Sequence, residues 1–366
     1  MVKLIKEISK KIIFPLVTVV ALSGNSFANQ RELLDIKKIY LTSCVNEEIC
    51  SSNSKDVSLE DIVKLNVVLE GDQNGEKIYF SSEKNIKING KKIDPSTVRS
   101  LDFKPSSIKW FKLESEKTDY NNWANGDFIW DDIRYTETLI DNDNNLSISA
   151  DANPSDKSKD VNNGLGTMRY KVEVTYGNKK LSTPGKESKN SRGIKKNVHR
   201  ISFRKDDSFL GRLTAFFNLP YIYGSAGRNN TDNQPENYIG SDCADLMVWA
   251  YRNTGKDIDY TYAAGLTKIT ETILKEKNLF TDGESYYDRD KQLIFGEDVK
   301  KGDLILFGKW HVGAISEDKS NPNGKFKGGP DKIFNKYDLM IHTYFDSPKI
   351  ENVDGYGPFS ILRWKN

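Results

Sequence analysis

The sequence predicts an α+β chain: an all-β N-terminal part, then a C-terminal part with helices first and an antiparallel strand meander after them. Up to about residue 181 the pattern alternates with period two and is broken by Gly, Asn, Asp and Pro. Ile86–Ile93 alternates around Asn89-Gly90, the signature of a two-residue hairpin. Val63–Leu69, Lys77–Phe80, Ile108–Leu113, Leu146–Ser149 and Arg169–Tyr176 are further short strands, and their spacing points to a β-sandwich. Trp110 and Tyr170 stand where immunoglobulin-like domains carry a buried tryptophan and a corner tyrosine, with Val172 in place of a cysteine. From Ile201 the period changes. Asp207-Ser208 caps a helix to about Phe217, Cys243 opens a second, and a third is expected near Leu266–Leu274. Strands follow at Asp303–Phe307, His311–Ile315, Leu339–Tyr344 and Ser360–Arg363.

The N-terminus reads as an export signal. Lys3, Lys6, Lys10 and Lys11 precede an apolar run from Ile12 to Leu22 and a Ser26-Phe27-Ala28 exit. That run is too short to span a bilayer, and no later segment is longer, so the mature chain is expected to have no membrane span. Removing those lysines and Glu7 from the 54 basic and 52 acidic side chains leaves 50 and 51. Such a balance argues against a nucleic-acid partner, which calls for a basic stripe. The divisions expected are a signal (1–28), a β-sandwich domain (29–181), a basic linker (182–200) and an α+β domain (201–366). The linker holds Pro184, Gly185, Gly193 and seven basic or histidine side chains.

Asp141–Asn145 offers alternating oxygen ligands, but an EF-hand loop needs Gly where Leu146 stands and Glu where Ala152 stands. It reads as a polar turn, and no metal and no cofactor is expected.

Three cysteines are present. In an oxidising compartment Cys44 and Cys50 can bridge across a short loop, which leaves Cys243 as an odd thiol. Cys243 sits at a helix start, where unpaired N–H groups favour a thiolate and can hold an oxyanion. A thiolate nucleophile needs a base. Of the three histidines, His311 and His342 lie on neighbouring strands and suit base and orienting group, whereas His199 falls in the linker and reads as exposed.

Leu219-Pro220-Tyr221-Ile222-Tyr223-Gly224, Asp242-Cys243, Gly302-Asp303-Leu304-Ile305 leading to His311-Val312-Gly313, and Ile341-His342 together resemble the NlpC family of papain-like cell-wall cysteine peptidases, over residues 207–366. The resemblance implies a papain-like fold and a triad with Cys243 as nucleophile, His311 as base and His342 as its orienting residue. It also implies Tyr221 beside the nucleophile, at the oxyanion or substrate, and Asp242 near a substrate amino group; Asp242 also suits a helix cap. The family usually has Ser-Gly where Ala244-Asp245 stand, and a glycine where Ser225 stands. An insertion, Glu317–Asn335, separates the histidine strands as a lid or recognition loop. The function implied is an exported cysteine hydrolase of peptidoglycan stem peptides, cutting between D-glutamate and a diamino acid through a thioester. Amidase and acyltransferase chemistry fit the same residues, and a non-catalytic periplasmic or surface binding protein is the reading from another class. The partner would be peptidoglycan or its muropeptides. The compartment would be the periplasm, the wall or the exterior.

Overall fold

The computed structural model describes residues 35–73, 75–100, 105–156, 162–227 and 233–365. The export signal expected over residues 1–28 lies outside them. The longer elements are β1 (Asp35–Val45), β2 (Val63–Gln73), β3 (Glu76–Phe80), β4 (Ser107–Ser115), β5 (Asp119–Asn121), β6 (Tyr135–Asp141), β7 (Gly166–Tyr176) and β8 (His199–Arg204). They continue with α1 (Phe209–Leu213), β9 (Tyr221–Tyr223), α2 (Cys243–Arg252), α3 (Leu266–Ile269), β10 (Thr270–Leu274) and β11 (Leu304–Phe307). The last are β12 (His311–Glu317), β13 (Leu339–His342), β14 (Lys349–Asn352) and β15 (Phe359–Trp364).

β1, β2 and β3 form the middle of one sheet, and β6, β4, β7 and β8 run side by side in another. Their inner faces share one core, in which Leu65, Val67, Ile108, Trp110, Val172 and Ile201 are buried. Asn89 and Gly90 both take positive φ, as the two-residue hairpin turn demands. Asp141 accepts from Asp143 N–H at 2.7 Å and from Asn145 Nδ2 at 2.8 Å, so this acidic run closes a turn. Cys44 and Cys50 are bridged, and Cys243 is free and buried.

The expected fold class is corrected by the structure. Among the described residues strands take 44% and helix, 3₁₀ turns included, 11%, with three short α-helices, so this is not an α+β domain of helices laid on a papain-like meander. The expected helix to Phe217 breaks at Leu213 into a 3₁₀ turn, Thr214–Phe216, and among the described residues only α2 reaches ten residues. The third expected helix has four residues; Thr270 turns extended and the chain enters β10, as the β-branched Ile269, Thr270, Thr272 and Ile273 favour. Nor is the N-terminal part a plain immunoglobulin-like sandwich. Lys55–Ser58 pairs parallel with β8, Ile86–Ile88 with Cys50–Ser51, and Val98–Arg99 with β3, whereas that fold uses antiparallel sheets.

The segment expected as a linker, 182–200, is built into the fold. Lys189–Asn190 pairs with Gly193–Ile194, and Ile194 and Val198 are buried with Ile133, Tyr135 and Ile222. Gly193 has φ +121 and lies so close to Ile239 that a Cβ would stand 2.8 Å from its side chain. His199 opens β8 opposite Tyr170 and is buried, not exposed. Basic composition masked this because the buried positions are few and the lysines point outward.

In the C-terminal part β10, β15, β11, β12, β13 and β14 form a six-stranded antiparallel sheet. Period-two alternation divides its faces. Leu304, Leu306, Val312, Ala314 and Ile341 pack against Leu246, Met247 and Ala250 of α2, while Ile305, Phe307, Ile315 and Met340 line the opposite face.

Candidate active site

Cys243 is the first residue of α2. Asp242 caps that helix: its Oδ1 accepts from Asp245 N–H at 2.9 Å and its Oδ2 from Gly224 N–H at 3.1 Å. Both carboxylate oxygens are thus engaged by backbone, and capping is the role this geometry supports for Asp242. Ala244 is buried against the sheet core. Asp245 is tied down by its own bonds: its Oδ2 accepts from Ser225 Oγ at 2.6 Å and from Ala226 N–H at 2.7 Å, and its charge adds to what raises the thiol. The residues that break the expected Ser-Gly and Gly pattern therefore answer each other, since Ser225 and Asp245 are hydrogen-bond partners. Burial, then the Asp242 charge, pushes the Asp245 carboxyl well above the usual carboxylate range.

His311 and His342 meet. Gly313 pairs with His342 in the β12–β13 register, and His311 Nε2 lies 2.9 Å from His342 Nδ1. His342 Nε2 lies 3.0 Å from Glu351 Oε2, which also accepts from Tyr356 OH at 2.9 Å, while Lys349 Nζ lies 2.8 Å from Glu351 Oε1. These bonds hold the Glu351 carboxyl down to about 2, the His342 contact contributing most. An ionised Glu351 can only accept, so His342 donates from Nε2 and accepts at Nδ1. His311 then donates from Nε2 and carries its bare lone pair on Nδ1, which is buried and has no partner among the described residues. The chain of contacts thus assigns the tautomer that a general base requires.

Four rings enclose His311: Phe307, Trp310, Tyr344 and Tyr356, with centroids 5.8, 5.6, 4.8 and 5.1 Å away. Burial, reinforced by His342, holds its pKa down to about 3. The Cys243 thiol is pushed up, by burial first and then by the Asp242 charge, and the N–H groups of Val312 and Ala244 offset part of this. Val312 follows His311 in the chain, but its side chain packs on the α2 face of the sheet, whereas the His311 ring lies among Phe307 and Tyr356. Among the described residues no hydrogen bond joins Sγ to His311. At rest the thiol and the imidazole are both neutral.

Cys243 opens onto a cleft of about 680 Å³. Tyr221 lines it, buried, and its hydroxyl pKa is raised by burial and then by Cys243, which marks it as the sulfur's neighbour. Tyr223, Tyr262, Trp310 and Phe345 give the cleft a half-exposed aromatic rim. Its other wall comes from the N-terminal part, where Asp119, Tyr120 and Asn121 of β5 pair parallel with Tyr221, Ile222 and Tyr223 of β9. Neither this wall nor Glu351 and Tyr356 was anticipated. Glu351 sits in an unremarkable polar run, and only the two-residue spacing from Lys349 hints at a shared strand face. The insertion Glu317–Asn335, expected as a lid or recognition loop, contributes nothing to the lining of the cleft: Phe334 is buried on the sheet face opposite α2, and Asn321 bonds to Glu284. Among the described residues no helix is long and apolar enough to cross a membrane.

No family model matches the chain, and neither a curated protein nor a solved structure does.

Proposed function

We propose that the protein is an exported cysteine hydrolase that cleaves amide bonds in peptidoglycan stem peptides, of the γ-D-glutamyl–diamino acid type. One observation carries this reading: an ionised Glu351 bonds His342, His342 bonds His311, and His311 keeps a bare Nδ1 one residue before Val312, whose N–H acts on the Cys243 sulfur. The order of Tyr221, Cys243, His311 and His342, which resembles that of the NlpC family, supports it further. Because the resting pair is neutral, the thiol proton passes to His311 Nδ1 as sulfur bonds the carbonyl carbon. Closing of Sγ onto Nδ1 accompanies substrate entry, as catalytic contacts commonly tighten in the complex. The C–N bond then breaks, His311 returns its proton to the leaving amine, and water aided by His311 hydrolyses the thioester. Tyr221 OH and the N–H groups at the start of α2 are the donors for the developing oxyanion.

The raised thiol pKa and the missing hydrogen bond between Sγ and His311 favour a second reading, a non-catalytic periplasmic or surface binding protein. One experiment separates the two. Purified cell wall is incubated with the parent chain and with Cys243→Ala, and the products are read by mass spectrometry. The hydrolase reading expects peptide fragments from the parent and none from the variant, and the product masses distinguish endopeptidase from amidase or acyl transfer. A variant that digests the wall as well as the parent sinks the assignment of Cys243, and a parent that releases nothing while still sedimenting with the wall supports the binding protein.

A further inference from the structure

A second cavity, of about 760 Å³, lies at the opposite end of α2 from Cys243, where Trp249 and Asn253 face β1, β8 and the loop through Ser52. Its charged lining is unbalanced. Arg169, Lys195, Lys196 and Arg200 face only Asp56 and Glu236. Asp56 is taken by Arg200 at 2.6 Å, and Glu236 by Arg252 at 3.2 Å and Tyr260 OH at 2.8 Å. Arg169 is 5% exposed, and its Nη2 donates only to the carbonyls of Asn237 at 3.1 Å and Tyr238 at 2.6 Å. A buried guanidinium held by neutral carbonyls alone carries an uncompensated desolvation cost.

Two acceptors in the same lining also lack partners among the described residues. His199 is 5% exposed; its Nδ1 lies 3.2 Å from the Ser52 carbonyl and so carries the proton, while Nε2 is buried and unbonded. Asn237 Oδ1 is likewise buried and unbonded. The cavity therefore pairs a cation lacking an anion with two acceptors lacking donors, and one molecule can satisfy all three.

We propose that this cavity binds a small anion bearing hydroxyl or amide N–H donors beside its carboxylate or phosphate. Arg169 takes the anionic oxygens, with Lys195 and Lys196 at the mouth, and His199 Nε2 and Asn237 Oδ1 accept from the donors. A guanidinium serves carboxylate and phosphate alike.

The test is calorimetric titration of the full chain with D-gluconate and with D-glucose 6-phosphate. D-glucose, acetate and sodium chloride at matched ionic strength are the controls. Saturable binding of at least one sugar anion, well above all controls, is expected, and the stronger arm tells carboxylate from phosphate. Arg169→Gln should weaken binding about tenfold or more, the loss of a charged hydrogen bond. The double substitution Lys195→Gln with Lys196→Gln, at exposed positions that folding does not need, should weaken it several-fold. It decides the matter if Arg169→Gln fails to fold. The His199 Cε1 proton resonance should shift on saturation. The proposal is overturned if neither sugar anion binds better than acetate, or if the lysine variant binds like the parent. Neither outcome touches the reading of Cys243, which this site does not share.

Discussion

Replacing Glu351 by Gln keeps the side chain's size but removes the charge that orients the two imidazoles. A glutamine can present its NH₂ to His342 Nε2, which would turn His342 about and cost His311 its donor role. A hydrogen bond to a charged group contributes about 1.5–3 kcal/mol. The Glu351 side chain is 37% exposed, so solvent screening takes the useful part down to about 1–2 kcal/mol. At about 1.4 kcal/mol per tenfold, kcat should fall about 5- to 30-fold. Glu351 does not line the cleft, so KM should stay within about twofold, the pattern of an interaction made in the transition state. The assay is initial rates on solubilised wall fragments over a range of substrate concentrations, with the folded fraction measured by circular dichroism. An unchanged kcat would refute the relay. So would a fall that tracks lost folded protein, which would make Glu351 a strand-edge support only.

Acid should weaken the fold through its buried neutral histidines. Burial holds His199 down to about 4 and His311 to about 3, whereas an unfolded imidazole titrates near 6.5. Between these values the unfolded chain binds more protons, so stability rises with pH, by up to about 1.4 kcal/mol per unit and per histidine. The raised Asp245 and Asp338 carboxyls slope the other way, so the check is a difference: His199→Gln should gain Tm relative to the parent as pH falls from 7 to 4, and a constant difference between the two contradicts the burial of His199. The Ser225–Asp245 pair should be coupled. Ser225→Ala and Asp245→Ala are each expected to cost about 1–3 kcal/mol, while the double variant falls short of their sum by about 1 kcal/mol in urea melts. Strict additivity would mean that the 2.6 Å bond contributes nothing.

What could be read in the chain before folding was local. Asn89-Gly90 marks its turn because both residues tolerate positive φ. Asp242 marks a helix start because its side chain reaches a backbone N–H three residues on. The failures are non-local. The window from Leu266 to Leu274 carries a helical apolar spacing, yet Thr270 pairs with Trp364 and Thr272 with Leu362, and those tertiary partners decide for strand. His199 looked like part of a solvated connector because its pairing residue, Tyr170, lies far upstream. Glu351 was illegible for a related reason. Its role depends on β14 lying beside β13 with His342 opposite Lys349, a register that no spacing within either segment encodes.

The N-terminal half is more than a tether. β5 leaves its own sheets to lie parallel to β9, so backbone from one half forms a wall of the cleft that holds Cys243. Asn122, fully buried at the end of that strand, donates to Gln234 Oε1 at 2.8 Å and to the Gly224 carbonyl at 3.2 Å, and its carbonyl oxygen Oδ1 accepts from Asp131 N–H at 3.0 Å. Sliding the halves apart would strand this amide's donors and break the short ladder together, and unsatisfied buried donors cost about 1–3 kcal/mol each. The joint is therefore stiff, and it sets what the cleft can accept. Asp119 enters from the N-terminal side and Lys309 from the C-terminal side, so the cleft's charge pattern exists only while both halves are docked. Under the proposed hydrolase activity, substrate selection is then a property of the whole chain, and not of the segment that carries Cys243 and the two histidines.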